Sequence, residues 1–410
     1  MLRLHITNPL FLFLFAWSIV GFAKESENLS TDERLYELEA KVATLSAELQ
    51  STKELAAQEK PNAFNPSISV VGDLVGQYGF NLKEHHHDAG HNHGHDHGFV
   101  NGVHVREVEL ELRGEVDPFA DALVAIGFLP HGFDHLDVHL EEAYARLKQW
   151  PGLGYAPLGM IIKGGMFKTA IGRINRVHRH NIPQMDYPLA TKAFLGDHGY
   201  SAPGLSINAA FNPAATTAIN VFVEGAFNSR VPLQDKGAEK VPNGILHLWL
   251  HQELAAEHFL DIGATTLVGR KGQPNSGAFW MLSGDLHYSY LPLGYGQNPL
   301  FLFGSELYAA NKKKDTDLWS TGFFSWAQVK LFGPSFFGVL YDLAPKIDSL
   351  HSQHAIGAYL SYYTTEFLRF RLGYEHIMPK LKSFDGDHRL MLSAMFVLGS
   401  HPVEPYFVNR

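Results

Sequence analysis

The chain has 410 residues, no cysteine and a formal charge of −9 at pH 7. The lack of cysteine excludes a disulfide scaffold and any cysteine-based metal or redox site, and the acidic balance argues against nucleic acid as a partner. Hydrophobic residues make up 45% of the chain and aromatic residues 12%. No apolar stretch after the first 23 residues reaches the roughly 18 residues of a membrane helix, so the composition fits a membrane β-barrel or a large soluble β protein.

Residues 1–23 are predicted to be a cleaved signal peptide. Arg3 supplies the positive start, residues 10–17 are apolar, and Gly21 and Ala23 offer the small side chains of a cleavage site. The apolar run is short for a membrane anchor, which needs about 20 residues. The sequence therefore predicts an exported protein.

Residues 24–60 are polar and favour a helix. Five apolar residues recur at alternating spacings of three and four, as in the seam of a coiled coil: Leu35, Leu38, Val42, Leu45 and Leu49. We expect a short periplasmic oligomerisation helix, with a single amphipathic helix lying on the body as the alternative. The Pro- and Asn-rich residues 61–66 end this helix and form a linker.

From residue 67 onwards the pattern becomes that of β-strands. Residues 108–113 alternate strictly between apolar and charged side chains, which places the two kinds on opposite faces of a strand. We predict about sixteen strands, an even number as bacterial barrels require. Their predicted ranges are 67–80, 103–116, 119–129, 139–149, 158–168, 202–212, 216–227, 245–256, 259–269, 278–290, 299–310, 319–332, 335–343, 354–363, 367–377 and 387–398.

The connections between these strands alternate in length. Short turns such as 117–118 and 333–334 alternate with longer polar loops at 81–102, 130–138 and 169–201. This is the topology of an all-β transmembrane barrel, here residues 67–410, in the outer membrane of a Gram-negative bacterium. The N-terminal helix and the C-terminus would be periplasmic and the long loops external. In such a barrel Glu107, Glu109, Glu111 and Arg113 would face the lumen.

The external loop 81–102 contains a histidine-rich tract at residues 85–98. Neutral imidazole binds Zn, Cu, Ni and Co, and carboxylates add oxygen ligands. The candidate metal ligands are His85, His86, His87, Asp88, His91, His93, His95, Asp96 and His97. The tract predicts capture of a divalent metal with zinc as the leading ion. The alternative is a solvated, variable surface loop that binds metal only incidentally.

A second group of candidate metal ligands lies in the predicted loop 130–138 and at the start of the next strand. It comprises His131, Asp134, His135, Asp137 and His139. His135, Asp137 and His139 alternate along the chain and would share one face of a strand. This spacing also fits an ordinary polar loop.

The loop 169–201 is the longest and holds a cationic group around its start. Lys168, Arg173, Arg176, His178, Arg179 and His180 form this group. A long loop that folds inward narrows a barrel channel, and a ring of arginines there would favour anions. The histidines would instead pass on a metal ion. The alternative is an external lid that forms salt bridges to neighbouring loops.

Residues 164–180 (GGMFKTAIGRINRVHRH), together with 186–189 (DYPL) and 194–204 (FLGDHGYSAPG), resemble the zinc-regulated outer-membrane proteins of Gram-negative bacteria. The order of signal peptide, coiled coil, His-rich loop and porin-like barrel is also similar. The resemblance implies a role in zinc passage. A weaker architectural similarity to phosphate-selective porins rests on the coiled coil and the strand number. Residues 24–66 are too few for the plug domain of a TonB-dependent receptor, so we expect no such energised transport.

These observations favour a porin-like channel that collects divalent metal at its mouth and lets it diffuse inward. An anion-selective or general porin and a non-conducting, metal-scavenging surface protein are the alternatives. We expect outer-membrane lipid and a homotrimer as partners, and no cofactor is required. An enzyme is disfavoured because neither a Gly-x-Ser-x-Gly elbow nor a His-Glu-x-x-His motif occurs in the sequence.

Overall fold

The computed structural model describes residues 66–80, 101–131, 135–153, 155–273, 275–292, 299–311, 319–345, 352–378 and 386–399. The predicted signal peptide, the predicted coiled coil, linker residues 61–65 and the histidine tract lie outside the described residues.

Sixteen antiparallel strands form one closed barrel, in which each strand pairs with its neighbours in sequence and β1 pairs with β16. The predicted barrel of about sixteen strands is therefore confirmed. The strands β1 to β16 are Ser67–Phe80, Gly102–Asp117, Ala120–His131, His135–Leu147, Ile161–Lys168, Ser201–Ala214, Thr217–Ala226, Asn243–Ala255, His258–Arg270, Ala278–Tyr290, Phe301–Asn311, Trp319–Lys330, Ser335–Pro345, Ser352–Thr365, Leu368–Met378 and Asp387–Gly399.

The strands alternate between an apolar outward face and a largely buried inward face. On β10, for example, Trp280 and Leu282 are exposed whereas Phe279, Met281 and Asp285 are buried. Exposed leucine and valine side chains recur on the outward face around the barrel, and aromatic side chains lie near both ends of it. These include Tyr78, Phe80, Trp280, Trp319, Phe332, Phe337, Tyr362 and Phe370. An apolar belt bordered by aromatic residues is the surface that a transmembrane barrel presents to lipid.

The connections divide the barrel into a short-turn end and a long-loop end. Two residues join β2 to β3, β6 to β7 and β8 to β9 at the short-turn end, whereas the opposite end holds connections such as 169–200 and 227–242. One predicted loop is wrong, because β4 begins at His135 rather than near residue 139. Leu136, Val138 and Leu140 are exposed on its outward face, so the lipid-facing alternation extends the strand into the range predicted to be a loop.

The connection between β5 and β6, residues 169–200, contains the longest helix of the described part of the chain. This helix, α1, spans Leu189–Leu195, and two 3-10 turns at Ile174–Arg176 and Arg179–Asn181 precede it. Further 3-10 turns occur at Pro157–Gly159 and Ala238–Lys240. Among the described residues, no helix combines the length and the apolar character needed to cross a membrane.

We call residues 169–200 the inner loop, because they fold into the barrel. Their apolar side chains form one buried cluster with inward-facing residues of β8 to β13. From the inner loop the cluster includes Ile171, Ile174, Ile182, Tyr187, Phe194 and Leu195, and from the wall it includes Ile245, Phe279, Met281, Tyr308, Phe324 and Trp326. The rings of Phe194 and Tyr308 stack at 5.3 Å. Apolar burial therefore holds the inner loop against one side of the barrel interior.

Candidate functional site

Carboxylates and one hydroxyl of the barrel wall accept hydrogen bonds from backbone N–H groups of the inner loop. The donors and acceptors are Ala170 to Glu224 at 2.8 Å, Gly172 to Thr265 at 3.2 Å, Arg173 and Ile174 to Glu306 at 2.9 and 2.6 Å, Leu189 to Asp342, and Ala190 to Asp342 at 3.0 Å. Asp342 thereby satisfies N–H groups at the start of α1 that a helix leaves without partners. These contacts fix the loop backbone to β7, β9, β11 and β13.

Arginines on the opposite part of the wall donate to backbone carbonyl groups of the inner loop. Arg369 donates to the carbonyl oxygen of His180, and Arg371 donates to that of Gln184 at 2.5 Å. Arg106 donates to the carbonyl oxygen of Met185 at 2.7 Å. The inner loop is therefore held from β2 and β15 as well as from β7 to β13, so it crosses the barrel interior.

Gly172 makes the closest approach of the inner loop to the wall possible. Its φ is +62°, and a Cβ atom at this position would lie 2.3 Å from Oε2 of Glu306. Glycine alone adopts this conformation without steric cost and leaves room for the carboxylate.

We expect Gly172→Ala to weaken the seating of the inner loop and to lower stability by more than the ~1–2 kcal/mol of a left-handed non-glycine residue, because Glu306 must also move. The free energy of unfolding in detergent, measured by denaturant titration, tests this. Gly277→Ala is the matched control, since Gly277 has φ +82° but no atom within 4 Å of the added Cβ. Equal losses in the two variants would contradict a role of the Glu306 contact.

The inner loop brings two of its histidines to carboxylates of the wall. Nδ1 of His178 lies 2.8 Å from Oε2 of Glu109, and its Nε2 lies 2.9 Å from Oε2 of Glu142. Nδ1 of His180 lies 3.6 Å from the same Glu109 oxygen. Burial alone lowers the pKa of His178, but Glu109 and Glu142 hold this pKa well above its usual value. In the absence of another cation, His178 is therefore an imidazolium between two carboxylates.

A second polar group lies beside the first. Nζ of Lys168 donates to the carbonyl oxygen of His198 at 2.8 Å and lies 3.9 Å from Glu141. The imidazole rings of His198 and His139 stack at 5.8 Å. Burial, together with the charges of Arg179 and Lys168, lowers the pKa of His198 to about 3. His198 is therefore a neutral imidazole at physiological pH.

The arginines of the inner loop do not form a ring of unpaired charges. Arg173 forms a salt bridge with Asp261 at 2.5 Å, and Arg176 lies over the ring of Phe222 at 4.8 Å. Arg179 lies 3.3 Å from Asp186. Burial raises the pKa of Asp186, but Lys192 and Arg179 outweigh it and hold this pKa well below its usual range. Two carboxylates and one aromatic ring thus offset the positive charges of Arg173, Arg176 and Arg179.

The other residues singled out from the sequence take different places. Glu107 and Glu111 are buried on the inward face of β2, and Arg113, nearer the short-turn end, pairs with Glu111 at 2.9 Å. Asp137 lies on the same inward face of β4 as His139. His131 and His135 are register partners on β3 and β4. Asp134 and the tract 85–98 lie outside the described residues.

Several residues that hold the inner loop were not singled out from the sequence. They are Arg106 together with its partner Asp73 on β1, and Glu141, Glu142, Glu224, Asp261, Glu306, Asp342, Arg369 and Arg371. Most of them are charged residues on the inward face of a predicted strand, so the alternation that identified Glu107, Glu109 and Glu111 also marks them. Their contacts depend on the path of the inner loop, which alternation does not reveal.

No protein-family model matches the sequence. A stretch of 156 residues is 36% identical to an uncharacterised protein of Aquifex aeolicus (strain VF5) and covers 36% of this chain. The match spans 30% of the length of that relative.

Solved structures of outer-membrane barrels are similar in fold. OmpF of Salmonella typhi has a TM-score of 0.50 at 8% identity and covers 82% of this chain and 98% of OmpF. The channel DcaP of Acinetobacter baumannii has a TM-score of 0.49 at 11% identity and covers 82% of this chain and 96% of DcaP. Such identities describe the fold alone. The chain has a porin-like barrel fold.

Proposed function

We propose that this protein is a porin-like channel of a Gram-negative outer membrane that captures divalent metal ions, zinc above all, at its histidine-rich loop and admits them to the periplasm. The observation that supports a cationic cargo is the composition of the barrel interior. Its buried ionisable side chains are mainly carboxylates and imidazoles, among them Glu107, Glu109, Glu111, Glu141, Glu142, His178 and His180. Carboxylates and imidazoles are ligands for divalent metal ions.

The placement in the membrane rests on the outward face and the connections. The apolar outward face with aromatic residues at both ends fits a lipid environment, and short turns face the periplasm in outer-membrane barrels. In this orientation both termini are periplasmic and the histidine-rich loop is external. The predicted coiled coil supports a homotrimer, and the similarity of residues 164–204 to zinc-regulated outer-membrane proteins supports zinc as the cargo.

The anion-selective alternative is less well supported. It depended on a ring of arginines in the inner loop, whereas Arg173 and Arg179 pair with Asp261 and Asp186. Arg369 and Arg371 donate to backbone carbonyl groups of the loop. Paired and buried cations contribute little positive potential to a passing anion.

The proposed function is tested by zinc uptake into liposomes. We expect removal of residues 85–98 to lower uptake at low zinc concentration while the conductance in KCl stays unchanged, because the loop concentrates metal at the mouth without lining the channel. A barrel in which the seven histidines of the tract are replaced by serine is the control for loop length. If uptake is the same with and without the tract, the protein is a general porin that binds metal incidentally.

One observation favours a second candidate, a surface protein that binds metal without conducting. The inner loop crosses the interior and buries an apolar cluster against β8 to β13, which leaves less of the lumen to water. A wild-type barrel that shows no current in planar bilayers, while zinc still binds at the external loop, would favour this candidate over the channel.

A further inference from the structure

The barrel interior brings a carboxylate of β2 next to two histidines of the inner loop, 69 residues away in sequence in the case of His178. Glu109 of β2, His178 and His180 each offer one ligand atom, and these atoms lie within 4.8 Å of one another. We propose that Glu109, His178 and His180 form an internal binding site for a divalent transition-metal ion. The site is separate from the external histidine tract and goes beyond the proposed function, because it requires no transport.

The separations between the ligand atoms suit such an ion. Oε2 of Glu109 lies 2.8 Å from Nδ1 of His178 and 3.6 Å from Nδ1 of His180. Zinc binds nitrogen and oxygen at about 2.0–2.2 Å in tetrahedral geometry, which separates neighbouring ligands by roughly 3.3–3.6 Å. The 3.6 Å distance agrees with these values and the 2.8 Å distance is shorter, so Glu109 and His178 would move apart by less than about 1 Å to take an ion between them.

The second observation is an unsatisfied oxygen on the same carboxylate. Glu109 is 1% exposed, and its Oε1 is buried without a hydrogen-bond partner among the described residues. A buried polar atom without a partner is unfavourable. A metal ion bound by both oxygens of this carboxylate would supply the missing interaction.

Glu142 positions His178 for metal binding. One oxygen of Glu142 accepts from the backbone N–H of Lys168 at 2.9 Å, and the other lies 2.9 Å from Nε2 of His178. A carboxylate that accepts from one imidazole nitrogen leaves the other nitrogen as the ligand, which is the usual arrangement around metal-bound histidine. Here Nδ1 of His178 is the nitrogen that faces Glu109.

The backbone of the two histidines is also held in place. The backbone N–H of Asn181 donates to the carbonyl oxygen of His178 at 2.9 Å, and Arg369 donates to that of His180. The ligands therefore need little reorganisation when an ion binds.

Two imidazoles and a carboxylate favour zinc and similar first-row ions over magnesium or calcium, which prefer oxygen ligands alone. A bound ion would tie the inner loop to β2.

Zinc binding to the full barrel without residues 85–98 tests the site, since this background removes the external tract. We expect Glu109→Gln and His180→Asn each to weaken zinc binding, measured by competition with a chromophoric chelator, by at least about tenfold. The control is His247→Asn. His247 is an equally buried inward-facing histidine, 1% exposed, that contacts Thr265 at 2.8 Å rather than a carboxylate. We expect it to leave the affinity unchanged.

Equal affinities in the background barrel, the two site variants and the control would overturn the proposal and leave a protonated His178 between two carboxylates. If Glu109→Gln fails to fold, Glu109→His keeps the test open, because a third imidazole ligand should retain zinc with a changed X-ray absorption spectrum. Zinc bound internally without uptake into liposomes supports the internal site and contradicts the proposed function. Zinc uptake into liposomes without binding at the internal site supports the proposed function and contradicts the internal site.

Discussion

Removal of the inner loop, with a short Gly-Ser linker joining β5 to β6, is expected to raise the single-channel conductance several-fold. A barrel of sixteen strands encloses a wide aqueous lumen when nothing fills it. Here residues 169–200 cross that lumen and are held from β2, β7, β9, β11, β13 and β15. The loop therefore determines the width of any path through the barrel.

The measurement is the current through single barrels in planar bilayers at a fixed KCl concentration. The same linker in place of residues 271–277, which join β9 to β10 at the long-loop end, is the control and should leave the conductance near that of the wild type. An unchanged conductance after removal of the inner loop would show that the path avoids it. A current that appears only after removal would identify the intact protein as non-conducting.

Alternation along the strands is sufficient to predict the wall of this barrel. The bounds of β1, 67–80, and of β10, 278–290, agree with the structure at both ends. The predicted number of strands is correct. Each strand has lipid on one side and polar groups on the other, so its apolar and polar side chains alternate with a period of two. β4 begins at His135 rather than near residue 139, because the outward-facing Leu136 and Val138 extend the alternation into a segment whose other residues are polar.

The contacts inside the barrel are much harder to predict from the sequence. Nothing local in residues 169–200 shows that Ile171, Ile174 and Phe194 pack against β10 to β13, because the apolar inward positions of those strands could equally border other groups. The basic character of the loop suggested an anion filter. The actual partner of Arg173 is Asp261, 88 residues away in sequence, and only the fold brings the two together.

The two faces of the inner loop have different physical characters, and this difference bears on function. Towards β8 to β13 the loop buries its apolar cluster and donates backbone N–H groups to Thr265, Glu306 and Asp342, so these contacts favour a fixed position of the loop. Towards β2 and β4 the contacts are His178 and His180 with Glu109 and Glu142. Imidazole and carboxylate groups rearrange around a bound cation, whereas the apolar cluster does not. The polar face is therefore the side on which a metal ion would act.

Asp73→Asn is expected to destabilise the barrel by about 3–5 kcal/mol, the usual cost of leaving a buried charge without its partner. Asp73 is 1% exposed on β1, next to the seam at which the barrel closes. It accepts hydrogen bonds from Arg106 of β2 at 2.8 Å and from Ser393 of β16 at 2.9 Å. Arg371 of β15, also 1% exposed, lies 4.0 Å away.

One carboxylate thus joins four strands across the closure of the barrel, and its loss would leave a buried guanidinium group, Arg371, and a partly buried one, Arg106, without their carboxylate. The loss of stability is the decrease in the free energy of unfolding in detergent, measured by denaturant titration. Asp121→Asn is the matched control, because Asp121 pairs with an arginine on the neighbouring strand, Arg146, which is 38% exposed. A solvated pair of this kind contributes about 0–1 kcal/mol. If both substitutions lower the free energy of unfolding equally, burial at the seam does not increase the contribution of Asp73 to stability.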